Sequence, residues 1–549
     1  MPQKLIIKLN GKRIHTQQGV RVADILPLSP HKGKFPAIGI IINKRIDGLY
    51  YQIQSEAEIE TIDLTQREGM DIYRRTLSLM LCAAMYELDS KAVVMVGQSL
   101  SDNYFFEIHN HRLSQTLLNK LEAKMQSFVQ ADISLMREWI MIEEAMAIFK
   151  QESQQDKIAL LKQSRRSEAP LVKINNFHAI AYGPVAYTTK VMNLFKIHPY
   201  EHGLILGFPN DAGQLERKIP AQPKLFNTYK ETKKWNKLSG ATTITDLNEH
   251  CIKGSISELI KISEALHEKK ISAIADEIAK RKNIQLILIA GPSGSGKTTF
   301  SKRLAIQLKL HGINPLSLSI DNYYLSRSKT PKHPDGTYDY ECLQALDLPL
   351  LNCQLKSILQ GKVVGLPKFN FSIGKRATQT TEVQLEKDQV IIMEGIHGLN
   401  EKLSAAVPRK NKYKIYVSAL TQLSIDNHNR IFTTDTRLMR RIIRDRLFRG
   451  TDATETISIW PSVRAGEYKY IFPFQEDADV IFNSALTYEP ALMKTFADRF
   501  LMEVDRNHPS FMEAARLFRF YSYLVPVLPR ELPPISILRE FIGGSAFRY

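Results

Sequence analysis

The amino-acid sequence predicts a multidomain protein in which an α/β domain with a doubly wound parallel sheet follows a small β-rich domain and an α+β domain. Three observations predict this class. The chain has 549 residues, and at roughly 100 to 200 residues per domain this length implies about three or four domains. Hydrophobic residues make up 44% and charged residues 24%, which is typical of folded globular proteins. From Ile284 onward, strand-like runs alternate with helical ones, as in a parallel sheet covered by helices.

Periodicity divides the chain into segments. Residues 4–9 and 38–42 read as short strands of a first, β-rich domain. Apolar residues then recur at spacings of three and four from Gln66 to Leu88, which predicts a helix and opens an α+β domain. Two prolines and several helical stretches precede the α/β domain and predict a helical connector, and the last ~60 residues also look helical. The expected domains are 1–65, 66–210, 211–283, 284–490 and 491–549.

Charge and cysteine usage restrict the class of partner and the compartment. The formal net charge is +17, which favours an anionic partner such as phosphate or nucleic acid. The four cysteines are far apart and form no CxxC pair, so we expect a reducing cytoplasm and no zinc or redox site of that kind. Charged residues break every apolar run near the start, so neither a signal peptide nor a membrane span is expected.

The strongest motif is GPSGSGKT at residues 291–298, a full match to the phosphate-binding loop GxxxxGK[ST] between an apolar strand at 285–290 and a helix. Its glycines let successive N–H groups point into one cavity at the helix N-terminus. Lys297 is expected to reach the β and γ phosphates, and the Thr298 hydroxyl to bind Mg²⁺. The residues expected to bind ATP here are Gly291, Ser293, Gly294, Ser295, Gly296, Lys297, Thr298 and Thr299.

Two acidic residues follow predicted strands near this loop. Alternating apolar residues at 316–320 lead into Asp321, and the apolar run 390–393 leads into Glu394. Ligands of open α/β sheets bind at the carboxyl ends of the strands. Asp321 is therefore expected to face the acceptor hydroxyl and Mg²⁺, and Glu394 to face Mg²⁺. The alternative for Asp321 is a helix cap or an Asx-turn, and the alternative for Glu394 is a solvated side chain.

An arginine-rich segment at 430–449 holds seven arginines against two aspartates. At helical spacing the arginines 437, 440, 441 and 444 share one face, and Leu438, Ile442, Ile443 and Leu447 suit a buried face. We interpret this segment as a lid that closes arginines over the transferring phosphoryl group. A solvated basic helix and an RNA contact are the alternatives.

These motifs, in this order over residues 284–483, resemble the uridine kinase and phosphoribulokinase family. The resemblance is carried by GPSGSGKTT, SLSIDNYYL, HPDGTYDYE, LPKFNFSIGKR, VIIMEGIHGL and RLMRRIIRDRLFRG. It implies that Asp321 acts as the base toward a sugar 5′-hydroxyl and that Thr298, Asp321 and Glu394 hold Mg²⁺. It implies further that Arg441, Arg444 and Arg449 meet phosphates and nucleoside, and that Tyr324 and Phe369 line the nucleoside pocket.

The sequence departs from this family where the substrate is chosen. The family's ribose-binding Asp is replaced by Lys332, which leaves Asp335 as the nearest carboxylate candidate. The base-reading His is replaced by Gly374, and one lid Arg by Thr451. Uridine is therefore in doubt as the acceptor, whereas phosphoryl transfer is unaffected.

The front half resembles the TGS domain, of β-grasp type, and the editing domain of threonyl-tRNA synthetases, through IDLTQREGMDIYRRTLSLMLCAAM and FHAIAYGPVAY. The resemblance implies a zinc-type HxxxH pair and a later Cys–His pair at the editing site. In this sequence the first pair falls on Thr76 and Met80, and the Cys is replaced by Ala181. Without imidazole or thiolate ligands, metal binding and hydrolysis are not expected. We interpret the front half as a binding or regulatory module.

The leading hypothesis is an ATP- and Mg²⁺-dependent kinase for a nucleoside or similar small substrate, with Lys297, Asp321, Arg441 and Arg444 as its catalytic residues. One alternative is a nucleotide-switched regulator that binds RNA or the ribosome through the basic front half. The other is a kinase for a sugar or sugar phosphate, to which Lys332 could supply charge. Both Asp321 and Glu394 favour catalysis, because a pure switch needs no acceptor-activating acid. Assembly into a homo-oligomer stays open.

Overall fold

A computed structural model describes the fold over residues 3–26, 35–210, 212–334, 336–370, 373–386 and 388–549. None of the helices in these ranges combines the length and apolar character that crossing a membrane requires. The strands are β1 (Lys4–Leu9), β2 (Lys12–Gln17), β3 (Gly39–Ile42), β4 (Arg45–Asp47), β5 (Glu58–Ile62), β6 (Val93–Leu100), β7 (Asn103–His109), β8 (Arg137–Met141), β9 (Glu168–Ile174), β10 (Phe177–Ile180), β11 (Lys196–Tyr200), β12 (Gly203–Gly207), β13 (Leu286–Ala290), β14 (Asn314–Ser319), β15 (Val364–Leu366), β16 (Phe369–Asn370), β17 (Lys375–Arg376), β18 (Thr381–Val383), β19 (Gln389–Glu394), β20 (Lys412–Ser418), β21 (Ser424–Asp426), β22 (Asn429–Arg430) and β23 (Val480–Asn483).

The α-helices are α1 (Val22–Ile25), α2 (Arg67–Leu88), α3 (Gln115–Ala131), α4 (Ile142–Gln151), α5 (Gln155–Gln163), α6 (Pro223–Leu238), α7 (Ile244–Lys253), α8 (Ile256–Lys280), α9 (Lys297–Leu310), α10 (Leu348–Leu359), α11 (Thr433–Phe448), α12 (Ala453–Tyr470), α13 (Glu489–Met502), α14 (Phe511–Tyr521) and α15 (Arg539–Ile542). The chain forms two compact units. The first holds residues 1–221, 243–245 and 423–430, and the second holds residues 222–242, 246–422 and 431–549.

The first unit is built from mixed and antiparallel sheets. A five-stranded sheet has the order β2-β1-β5-β3-β4, in which β1 pairs in parallel with β5 and the other pairs are antiparallel. A four-stranded sheet, β11-β12-β7-β6, and a three-stranded sheet, β10-β9-β8, follow. Helix α2 has the predicted spacing and buries its apolar residues, including Leu77, Leu81 and Ala84. The hairpin of β21 and β22 belongs to this unit although its sequence lies far downstream.

The second unit contains the predicted doubly wound parallel sheet. Its strand order is β14-β19-β13-β20-β23, and every neighbouring pair is parallel. Strand β13 is buried on both faces, which explains its continuous apolar run. Leu286 and Leu288 join a core with α10, whereas Ile287 and Ile289 join a core with α8 and α9. This arrangement confirms the fold class and fixes where the strand ends meet.

Candidate active site

The phosphate-binding loop joins β13 to α9, as the sequence predicts. A Cβ atom at Gly291 would lie 2.0 Å from the carbonyl oxygen of Val417 on β20, so a side chain cannot fit there. Gly294 has a φ of +75°, and a Cβ there would lie 2.9 Å from the carbonyl oxygen of Arg437. Only glycine adopts such a conformation in such tight surroundings without strain. The loop backbone is therefore shaped by glycine at these two points.

Two polar side chains of the loop, those of Lys297 and Ser295, have different surroundings. Lys297, the first residue of α9, donates from Nζ to the carbonyl oxygen of Pro292 at 3.3 Å. The hydroxyl of Ser295 is buried and has no hydrogen-bond partner among the described residues. A buried hydroxyl without a partner costs free energy. The Ser295 hydroxyl can therefore form a hydrogen bond with a ligand.

The two predicted acidic residues lie at adjacent strand ends beside the loop. Ser319, the last residue of β14, pairs in register with Glu394 on β19, and Glu394 pairs in register with Ile289 on β13. Asp321 follows β14 in a short 3-10 turn. Because the strands are parallel, their carboxyl ends share one edge of the sheet, and both acidic residues lie where the phosphate loop begins.

The surroundings of the two acids shift their pKa values. Burial raises the pKa of Asp321, and the Lys297 and Arg449 cations oppose the rise. Burial raises the pKa of Glu394 to about 7, with a further rise from the Asp321 carboxylate. Lys297 and a hydrogen bond from the Thr298 side chain act in the opposite direction on Glu394. The site therefore brings together two carboxylates that repel each other, one lysine and one threonine.

Three arginines of the predicted lid converge on one aspartate. Arg441 and Arg444 donate to Asp445 at 3.1 and 2.9 Å, and Arg449 lies 3.6 Å from the same carboxylate. Arg441 also donates from Nη1 to the hydroxyl of Ser293 at 3.1 Å. Three cations share one carboxylate, so this cluster keeps a net positive charge next to the phosphate loop. The spacing of four residues on either side of Asp445 is a helix contact pattern that the sequence could have revealed.

The other two arginines of the predicted lid face are not part of it. Arg437 and Arg440 are fully buried in the core. Arg437 donates two hydrogen bonds to Glu467 of α12, and Arg440 donates two to Glu489 of α13. The expectation that all four arginines form one face of a lid over the phosphoryl group does not hold for Arg437 and Arg440, because each is matched by a buried carboxylate from another helix. Leu447, which was expected on the buried face, is 42% exposed.

The aromatic residues expected to line the acceptor pocket lie together. The ring centroids of Tyr324 and Phe369 are 5.8 Å apart. The side chain of Asn322 accepts a hydrogen bond from the Phe369 N–H at 3.3 Å, which ties β16 to the segment after β14. The Tyr324 hydroxyl donates to the carbonyl oxygen of Tyr340 at 3.2 Å. The remaining predicted substrate residue, Asp335, lies outside the described residues.

A third acid, Glu341, is half-buried near Asp321 and Arg441 and was not singled out from the sequence. Burial raises the pKa of Glu341 to about 7, and Glu467 and Asp321 add to the rise while Arg441 and Lys297 oppose it. Its own N–H donates to the side chain of Asp339 at 3.1 Å, and Tyr470 donates to the same carboxylate at 2.8 Å. Asp339 and Glu341 both belong to the HPDGTYDYE motif, so this motif could have indicated their place in the site.

Two of the three positions where the sequence departs from the family pattern, Lys332 and Gly374, border the acceptor segment. Lys332 is exposed, and its Nζ lies 5.0 Å from the ring centroid of Tyr338. Gly374 has a φ of +64°, and a Cβ there would lie 2.9 Å from Nε of Arg327. The N–H of Arg327 donates to the carbonyl oxygen of Gly374 at 2.9 Å. Arg327 thus borders the position that the family's base-reading His would hold.

The front-half positions that resemble an editing site are filled by ordinary core contacts. Thr76 donates to the carbonyl oxygen of Ile72 and accepts from the N–H of Ala186, and both Met80 and Ala181 are buried.

A buried polar cluster adjoins these positions in the same unit. The Lys157 side chain is 0% exposed, and its Nζ lies 3.0 Å from Nδ1 of His428 and 3.6 Å from Asp156. Tyr182 donates to Asp426 at 3.0 Å. The hairpin of β21 and β22 supplies two of these groups, so a downstream segment completes the polar core of the first unit.

Comparison with known proteins bears on both halves of the chain. Residues 286–489 match the model of the phosphoribulokinase / uridine kinase family. A uridine kinase from Ligilactobacillus salivarius is 33% identical over 206 residues, which are 37% of this chain and 87% of that protein. Among solved structures, a possible uridine kinase from Bacillus stearothermophilus is 17% identical, with 38% of this chain and 97% of that chain covered and a TM-score of 0.26.

The N-terminal part of the chain is similar to a different class of protein. A threonine–tRNA ligase from Aquifex aeolicus is 25% identical over 200 residues, which are 36% of this chain. This chain covers 31% of the length of that ligase. This similarity agrees with the resemblance to threonyl-tRNA synthetases that the motifs of the front half indicate.

Proposed function

Because the chain belongs to the phosphoribulokinase / uridine kinase family and is a phosphotransferase with a hydroxyl acceptor, we propose that it transfers the γ-phosphoryl group of ATP to a nucleoside or a related small substrate. The observation that carries the proposal is the parallel register that sets Asp321 and Glu394 beside Lys297 at one sheet edge. Phosphoryl transfer is accelerated mainly by positioning and by neutralising charge, and this edge supplies both acidic and basic groups.

In the proposed role, the loop and the arginines hold the phosphates. The loop amides and the N-terminus of α9 present N–H groups to an anion, and Ser295 has a buried hydroxyl that lacks a partner among the described residues. Lys297 and Arg441 both contact the loop, at Pro292 and Ser293 respectively. We assign Lys297, Arg441, Arg444 and Arg449 to charge neutralisation, because the three arginines form ion pairs with the same carboxylate, that of Asp445.

The residues at the sheet edge fit Mg²⁺. Thr298, Asp321 and Glu394 provide hard oxygen donors, which Mg²⁺ prefers, and Mg²⁺ usually keeps waters and phosphate oxygens as its other ligands. Within the described residues no group of three or more His, Cys, Asp or Glu side chains could by itself hold a metal ion. When bound with ATP, Mg²⁺ would neutralise charge on the phosphates. Its presence would also relieve the repulsion that contributes to the raised pKa of Glu394.

Asp321 is proposed to take the proton of the acceptor hydroxyl. Its carboxylate faces Lys297 and Arg449, and burial makes it more basic than an exposed aspartate. A general base must lie within hydrogen-bond reach of the proton that it takes. The Tyr324–Phe369 pair stands beside the same segment and offers aromatic faces to a planar or sugar-like acceptor. We therefore place the acceptor between Asp321 and this pair.

The identity of the acceptor remains a matter for experiment. Exposed Lys332 stands where the family has a ribose-binding acid, which leaves a sugar phosphate as an alternative acceptor. The similarity of the front half to a threonine–tRNA ligase supports a second candidate, a regulator whose nucleotide site responds to RNA. In either case we propose that the TGS-like segment 1–65 and the editing-like segment 66–210 form a binding or regulatory module.

The decisive experiment is a screen of nucleosides, sugars and sugar phosphates for substrate-stimulated ADP release by the full chain, with and without tRNA. Kinase action predicts acceptor-dependent release that needs Mg²⁺ and no RNA. The variant Asp321→Asn should lose on the order of 10²–10⁴-fold in acceptor-dependent turnover and keep ATP affinity within about tenfold, since loop amides supply most phosphate contacts.

The matched control is Asp276→Asn, the same change at a surface aspartate of α8 that contacts His311 at 2.8 Å. It should keep wild-type turnover. Release that appears only with tRNA would favour the regulator. Wild-type turnover in Asp321→Asn would contradict the assignment of the base.

A further inference from the structure

A segment at 536–549, here called the strap, packs against the start of the phosphate-loop helix. Ile537 and Phe541 are fully buried and belong to the same core as β13 and α9. A Cβ at Gly296, the last glycine of the loop, would lie 2.6 Å from Cγ2 of Ile537. The guanidinium carbon of Arg440 lies 5.1 Å from the ring centroid of Phe541. The strap is thus seated directly on the loop and not merely near it.

The strap places an acidic side chain on the helix N-terminus. Oε2 of Glu540 accepts the N–H of Thr299 at 3.1 Å and the hydroxyl of Thr299 at 2.7 Å. The hydroxyl of Tyr549 lies 2.8 Å from the same Thr299 hydroxyl. Thr299 is the third residue of α9, so its N–H is one of the amides that have no partner within the helix. Every polar group of Thr299 that points away from the helix is therefore engaged by the strap.

The same groups are needed by a phosphate. Amides at the start of this helix cradle the α and β phosphates in loops of this type, and the lysine reaches the β and γ phosphates. Thr299 lies two residues beyond Lys297 and hence toward the α phosphate. Its single N–H cannot serve the Glu540 carboxylate and a phosphate oxygen at once.

We propose that Glu540 is an internal competitor for the nucleotide, which binds fully only after this carboxylate has left Thr299. The inference rests on the proposed function in one respect, that the loop binds ATP. It assigns to Glu540 a regulation of that site by a residue 241 positions away in sequence. The apparent affinity for nucleotide is then lowered by the fraction of molecules in which the strap carboxylate is seated.

The alternative is that Glu540 only caps the helix. Gly296 is the N-cap residue and has no side chain that could accept these amides, so a cap from elsewhere would be stabilising. A mere cap predicts lower stability and unchanged nucleotide affinity when Glu540 is removed. A competitor predicts tighter nucleotide binding. The two roles are therefore separated by the direction of one measurement.

The test is calorimetric binding of AMP, ADP and ATP to the full chain and to the variants Glu540→Ala and Glu540→Gln. A neutral amide accepts a weaker hydrogen bond than a carboxylate, so affinity should rise from wild type through Glu540→Gln to Glu540→Ala. The gain should be roughly tenfold if the carboxylate is seated in about nine molecules of ten. It should be similar for the three nucleotides, because each has one α phosphate. Simple charge repulsion would instead grow with the number of phosphates.

The matched control is Glu531→Gln, which removes the same charge from a residue near Arg530 that precedes the strap, and it should leave affinity unchanged. Thermal unfolding verifies that each variant is folded, and the isosteric Glu540→Gln decides if Glu540→Ala is not. Wild-type turnover with unchanged or weaker nucleotide binding in the Glu540 variants would overturn this inference alone. Absence of nucleotide binding in every protein would contradict the proposed function as well.

Discussion

The buried pair of Arg437 and Glu467 predicts how much this arginine of α11 contributes to stability. Arg437 is 1% exposed and Glu467 is 0% exposed, and the guanidinium donates two hydrogen bonds to the carboxylate, one of them at 2.8 Å. Removing one partner of such a pair leaves a buried charge and costs about 3–5 kcal/mol. Arg464 donates to the same carboxylate at 3.2 Å and would remain, so Arg437→Ala should lie near the lower end, at about 3 kcal/mol.

The measurement is native-state hydrogen exchange of amides in α11 and α12. A chain with two compact units does not have to unfold in one step, whereas exchange reports the local free energy of these helices. A loss of about 3 kcal/mol corresponds to exchange that is faster by about 10²-fold. The double variant Arg437→Met, Glu467→Leu removes both charges together and should recover most of the loss, since apolar replacements of a buried pair are often neutral.

The variant Arg441→Ala serves as the comparison for Arg437→Ala. Arg441 is partly exposed and shares Asp445 with two other arginines, so Arg441→Ala should leave exchange near wild type. It should instead lower turnover, because it removes a cation next to Ser293 of the loop. Wild-type exchange in Arg437→Ala would refute the reasoning about the buried pair, and a turnover effect confined to Arg437→Ala would reverse the division of roles.

Two further predictions follow from single groups. Lys297→Ala should lower Mg²⁺-dependent turnover by on the order of 10²-fold or more, because a phosphate-clamping cation is lost; unchanged turnover in a steady-state assay would show that the loop does not carry the reaction. Burial and the cations Arg303 and Arg440 lower the pKa of His267 to about 3. The unfolded chain binds this proton at a pH near 6.5 and the folded chain does not, so stability should fall as pH drops below about 6.5, by up to about 1.4 kcal/mol per pH unit. His267→Phe should flatten that slope in urea unfolding between pH 4 and 6, and an unchanged slope would assign the acid sensitivity to other groups.

The local sequence was sufficient to predict the phosphate loop, because the shape of this loop depends on its backbone. The loop motif, the strand before it and the helix after it are contiguous, and their geometry follows from glycine and from the apolar run of β13. The positions of Asp321 and Glu394 were predictable for a related reason. Parallel strands align their carboxyl ends, so any acid that ends such a strand next to the loop must lie at the same edge.

The sequence did not predict which residues, distant along the chain, pair with each arginine of α11. The spacing of Arg437, Arg440 and Arg441 is compatible with one basic face, and nothing local distinguishes an arginine that meets a buried glutamate from one that meets a phosphate. The distinction comes from Glu467 and Glu489, which lie on other helices. An arginine paired with a buried carboxylate is part of the core, whereas arginines that share one carboxylate retain charge for a ligand.

The same physical argument applies to the strap and reverses the usual reading of a phosphate-loop motif. The first amides of α9 have no partners within the helix, and Gly296 at the N-cap cannot supply one. A sequence rule therefore states that these amides need an acceptor and assumes that the acceptor is phosphate. In this chain Glu540 meets the requirement from within. An intact motif thus predicts that the amides at this helix end meet an acceptor, while the identity of the acceptor depends on a contact that only the three-dimensional structure reveals.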